Sequence, residues 1–83
     1  MSKVNQNLIR INLNSGKYDA ACKLALIENM EAGNMVYLPN AYALVESKVN
    51  PHQWAGYLSS MEKQGFYIPY GDSHFGMVDI SKR

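Results

Sequence analysis

NPHQWAGYLSSMEKQGFY, residues 50–67, decides how this chain is read, because it spells out a helix together with both of its ends. Asn50 can cap the helix through its side-chain oxygen, and Pro51 suits a first position whose N–H needs no partner. Gln53 sits where a capping-box side chain reaches back. At the other end Gly65 can take the left-handed conformation that closes a helix, which folds Phe66 back onto Met61. Trp54, Leu58 and Met61 recur at helical spacing with Tyr57 beside them, so this side is the expected buried face. His52, Gln53, Gly56, Ser59, Ser60 and Lys63 form the opposite, open side. Glycine inside a helix costs about 1 kcal/mol relative to alanine, so Gly56 predicts that another helix or a ligand approaches its backbone.

Upstream of this helix, Asn40 is placed to cap a short helix running to about Ser47, with Ala41, Leu44 and Val45 toward the core. Lys48 and Val49 then form a tight connection between two helices, a helix-turn-helix arrangement. Met35 to Leu38 is a short apolar, β-tending run ended by Pro39. Lys17 to Ala32 predicts a central helix with a broad apolar side, stopped by Gly33 and Asn34, on which Asp19 and Lys23 form a surface pair. In Val4 to Asn14, Ile9, Ile11 and Leu13 alternate as in a strand, whereas Val4, Leu8 and Ile11 fit a helical stripe. The four asparagines favour the strand, as a core cover, a pairing edge for another copy or a basic arm.

Downstream, Phe66 to Tyr70 and His74 to Ile80 flank Gly71, Asp72 and Ser73 as a hairpin would. Phe66, Ile68 and Tyr70 are expected on its inner side, completed by Val78 and Ile80. Gly76 marks a bulge or a close backbone approach.

The chain has 83 residues, 18% of them charged and 47% hydrophobic, which suits one small folded domain and excludes a disordered tail. Residues 1–17 hold three bases and no acid, residues 18–62 two bases against five acids, and the remainder nets plus one, giving +1 in all. That near-neutrality excludes a strongly basic nucleic-acid binder. No apolar run is long enough to span a membrane and the first residues are unlike a secretion signal, so a cytoplasmic protein is expected. Cys22 is the only cysteine, which leaves no internal disulfide and, with two scattered histidines, no metal cluster of familiar spacing. It reads as a small buried hydrophobe. Asp72, Ser73 and His74 have the residue types of a hydrolytic site but not its arrangement, and no phosphate-binding glycine loop is present. Neither an enzyme nor a cofactor or small-molecule site is expected.

Met61, Glu62, Lys63, Gln64, Gly65, Phe66 and Tyr67 are similar to the ending of recognition helices in MarR-like regulators: leucine, glutamate, two variable residues, glycine, leucine, valine. Val49 and Trp54 match the buried positions on either side of the turn. The chain departs from that pattern at Lys48, where glycine is usual, at Leu44, where alanine is common, and at Gly56, where a DNA-contacting arginine often stands. Over about residues 18–80 the order of elements resembles a winged helix-turn-helix domain. The resemblance implies a small α+β fold spanning residues 1–83, with three helices, a C-terminal β-hairpin wing at 66–80, and residues 1–16 as an N-terminal arm or strand. It further implies a transcriptional regulator that binds duplex DNA through helix 51–64 and the wing, as a possible homodimer. The contacts so implied are His52, Gln53, Ser59, Ser60 and Lys63 on the helix and Ser73 and His74 on the wing.

The alternative expectation is a non-enzymatic module that docks on a host protein through Tyr67, Tyr70 and Phe75, with Trp54 or Tyr57 nearby. Tyrosine and tryptophan are frequent interface anchors, and six tyrosines are many for this length. Small phage or mobile-element proteins that block a host enzyme offer an analogy.

Overall fold

The computed structural model describes residues 3–71 and 74–82. Four helices and a three-stranded antiparallel sheet share one core: α1 (Lys3–Asn14), α2 (Tyr18–Glu28), β1 (Met35–Tyr37), α3 (Leu38–Ala43), α4 (Pro51–Lys63), β2 (Tyr67–Pro69) and β3 (Phe75–Val78). The strand order is β1-β3-β2, so β1 completes the sheet that the hairpin begins. Tyr67 lies opposite Val78 and Ile68 opposite Met77, while Met35 faces Met77 from the other edge. No helix among the described residues is long and apolar enough to cross a membrane.

The expected helix at 51–64 forms as its end signals dictate, over Pro51–Lys63. Asn50 Oδ1 accepts from the Gln53 N–H at 2.8 Å, and Gln53 Oε1 accepts from the Asn50 N–H at 3.0 Å, a reciprocal capping box. At its end the Phe66 N–H donates to the Met61 carbonyl and the Gly65 N–H to that of Glu62, with Gly65 at φ 79°. These two bonds make a Schellman stop. Trp54 and Met61 are buried, and Tyr57 and Leu58 pack partly against the core.

Four expectations about the elements are corrected. Residues 4–14 are helix α1, not a strand, so the fold has four helices rather than three. Asparagine's weak preference is overruled because Ile9 and Leu13, four residues apart, both insert into the core against α2, and tertiary burial outweighs propensity. The central helix ends at Glu28, four residues early, where a Met30 to Val36 bridge turns the chain back through Gly33 and Asn34, both at positive φ. Asn40 does not cap α3. The helix starts at Leu38, whose N–H donates to the His74 carbonyl at 2.8 Å, and Pro39 occupies the first turn where no donor is required. Lastly, Lys23 Nζ does not settle on Asp19 but donates to Gln64 Oε1 at 3.1 Å and lies 5.3 Å from the Phe66 ring centre.

The connection between α3 and α4 is held from within. Val45 and Val49 are fully buried, the Tyr42 hydroxyl donates to the Val49 carbonyl at 2.6 Å, and the Tyr42 and Trp54 rings lie 5.4 Å apart. These contacts set α4 against α3, with Lys48 in the connection between them.

Candidate interaction surface

The hairpin's inner and outer sides differ from the expectation, and they determine which residues a partner can reach. Tyr67 and Val78 are buried, whereas Ile68 and Tyr70 are exposed, as is Ile80 beyond the strand. The chain bends at Phe66 as it leaves the Schellman stop, so Phe66 and Tyr67 both reach the core and the alternation starts one residue later than expected. Tyr67 is therefore unavailable for docking. Its ring lies across the backbone of Gly76, and this close approach, not a bulge, is why glycine stands there.

The sheet's outer side gathers a block of apolar side chains. Val36, Gly76 and Val78 are buried, which puts Met35, Tyr37, Phe75 and Met77 on the other side by strand alternation. Register adds Ile68 opposite Met77, and Tyr70 beside Phe75 through the bond from its N–H to the Phe75 carbonyl. The Tyr37 and Phe75 rings are 4.9 Å apart. Tyr37, Ile68, Tyr70 and Phe75 are all exposed, and none of the six carries a charge. A contiguous apolar face of this kind on a small domain is a recognised mark of an interaction site.

The face adjoins a groove. His74 lies 6.4 Å from Tyr37, ring to ring, and turns the surface toward an open hollow of about 440 Å³ between α3 and α4. Leu38, Pro39, Tyr42, Trp54 and Leu58 line it together with His74. Trp54, only 8% exposed, contributes to this wall and not to a projecting anchor.

The polar side of α4 is open but sparsely equipped. His52, Ser59, Ser60 and Lys63 are exposed; Gln53 is half-buried, with its Oε1 committed to the cap. Ser60 Oγ accepts from Gln64, which in turn accepts from Lys23. A side chain at Gly56 would meet nothing within 4 Å, so the neighbouring helix that was one of the two expected approaches is not there among the described residues. Ser73 lies outside the described residues. Between residues 50 and 80 the single base Lys63 stands against Glu62, Asp72 and Asp79.

Cys22 is fully buried in α2, and burial, with Asp19 adding to it, pushes its thiol up to about 12. Asp79 is held below the usual carboxylate range by hydrogen bonds from the Ser81 hydroxyl and N–H. Among the described residues no three His, Cys, Asp or Glu side chains are grouped to hold a metal ion.

Met35, Tyr37, Ile68 and Met77 are the surface residues that sequence reasoning missed. The only available signal was the alternation in two short strands, and which alternate set faces out depends on pairing across some forty residues. Compared with known protein families, characterised proteins and solved structures, the chain matches none.

Proposed function

We propose that this chain is a domain of winged helix-turn-helix type that acts without catalysis, as a protein-docking module. The order helix, strand, helix, helix, hairpin with strands arranged β1-β3-β2 supports the frame. One observation carries the docking role: the outer side of the sheet is apolar throughout, while the helix and hairpin that would meet DNA hold one base against three acids. Duplex binding draws much of its strength from cations on phosphates, and this surface supplies few. Association with protein draws on aromatic and methionine side chains, and this surface is built of them.

A duplex-DNA-binding regulator is the second reading, favoured by the open polar side of α4 with Ser59 and Lys63 exposed. An anisotropy titration with genomic duplex fragments at low and moderate salt, run beside capture of partners from the native host, separates the two. For a docking module, Tyr70→Ser abolishes capture and Lys63→Glu leaves it intact, with no steep salt slope on DNA. A preferred duplex site whose affinity Lys63→Glu lowers about tenfold, a change of some 1.4 kcal/mol, would replace docking with regulation.

A further inference from the structure

We infer that a hollow between α1 and the α3–α4 connection binds a small carboxylate with an apolar body, of which a medium-chain fatty acid is the simplest case. The hollow measures about 280 Å³ and is lined by Gln6, Ile9, Arg10, Leu13, Leu44 and Ser47. Gln6, Arg10 and Leu13 fall three and four residues apart, so they share one side of α1. Ile9 and Leu13 are buried core residues that give the hollow an apolar floor, and half-buried Leu44 adds to it from the other segment. Arg10 and Ser47 are exposed. The two lining segments lie some thirty residues apart in the chain, which is why no sequence motif marks the site. It shares no residue with the sheet's outer face or with the polar side of α4, so it stands apart from the docking reading.

The charge of the lining chooses the ligand. Among the described residues Arg10 is the one charged side chain that lines the hollow, and the first acid of the sequence is Asp19. Glu46 and Lys48 flank Ser47 in sequence, but neither lines the hollow and their charges offset. The Arg10 guanidinium donates to Asn7 Oδ1 at 2.9 Å, a neutral acceptor that leaves the positive charge uncompensated and further N–H groups to donate. A carboxylate meets both needs, because a guanidinium can grip its two oxygens with paired charge-assisted bonds. Gln6 and Ser47 supply uncharged hydrogen-bonding groups beside it. Ile9, Leu13 and Leu44 then cover the ligand's methylenes, each buried CH₂ being worth about fourfold in affinity. The volume lies just under the roughly 300–1,000 Å³ usual for small-molecule sites. At the roughly 30 Å³ that a water occupies, the ligand has on the order of ten non-hydrogen atoms.

The test titrates octanoate, octylammonium and acetate into the ¹⁵N-labelled full chain. Octanoate should saturate with a Kd on the order of 1 mM, shifting amides in residues 6–13 and 44–47. Octylammonium, with the same tail and the opposite charge, should bind roughly tenfold more weakly, and acetate, without the tail, should not saturate. Arg10→Gln is an exposed change that spares the core, and it should weaken octanoate by roughly tenfold as well. Ser47→Phe leaves Arg10 in place and fills the hollow, so it should block octanoate. Equal affinity for octanoate and octylammonium, shifts confined to other residues, no saturation by octanoate, or full affinity in Arg10→Gln overturns the inference. Tyr37→Ser, on the sheet's outer face, should leave octanoate binding unchanged, so failure of this site and failure of the docking reading are read separately.

Discussion

The ring of Tyr67 occupies the space where any other residue at position 76 would place its Cβ, which would stand 2.7 Å from the tyrosine's Cζ and Oη. Tyr67 is 5% exposed and pinned by the β2–β3 pairing, so it cannot swing clear. Gly76→Ala should therefore destabilise the fold by about 1–3 kcal/mol, the usual cost of overpacking. In a Tyr67→Ala background the same change should cost much less, because the clash is gone. Urea unfolding of the two single variants and the double variant measures this; equal costs in both backgrounds would remove the Tyr67–Gly76 contact as the cause.

The capping box at the start of α4 makes its own prediction. Asn50→Ala removes the acceptor for the Gln53 N–H and should cost about 1 kcal/mol, lowering Tm by roughly 4–8 °C for a domain of this size. Calorimetry checks it, and an unchanged Tm would mean that the helix start is fixed by packing alone.

Two glycines in or next to the same helix should respond in opposite directions. Gly65 has φ 79° with its nearest neighbour, Lys82 Cε, at a comfortable 3.8 Å from a built Cβ, so Gly65→Ala is opposed by backbone strain and not by space. It should cost about 1–2 kcal/mol. Gly56 lies in open space inside α4, and Gly56→Ala should stabilise by up to about 1 kcal/mol. Paired denaturant titrations decide the matter; destabilisation by Gly56→Ala would mean that its backbone is approached after all.

Burial of Cys22 gives a pH dependence whose sign follows from the direction of its shift. The thiol is raised from 9.0 to about 12 in the fold, so the unfolded chain releases this proton first as pH climbs. The stability tied to the neutral thiol is complete below pH 9 and is lost between 9 and about 12. Ellman's reagent at pH 8 should leave the folded protein untouched and label it fully in denaturant, and Cys22→Ala should fall less in stability above pH 9 than the parent. Rapid labelling of the native chain would contradict the burial.

Helix α4 was legible residue by residue because its signals are local: Asn50 and Gln53 bond each other within one turn, and Gly65 with Phe66 closes the last turn on Met61. Such end chemistry is complete within a few residues, so no distant contact is needed to read it. The β-tending run at 35–38, of which Met35–Tyr37 form β1, and the hairpin were legible from similarly short stretches, and the burial of Cys22 from its place on the apolar side of the central helix.

Residues 3–14 and the two sides of the sheet belong to the tertiary structure. The N-terminal segment satisfies strand and helix patterns alike, and only the presence of α2 makes the burial of Ile9 and Leu13 on one helical side the better outcome. In the sheet, a bend at Phe66 shifted the alternation by one position, which buried Tyr67 and exposed Ile68 and Tyr70. The apolar block then formed when β1 joined β3, bringing Met35 and Tyr37 beside Met77 and Phe75 across some forty residues of chain. Local chemistry writes the ends of helices; side-chain direction in short strands is decided by whichever distant surface they cover.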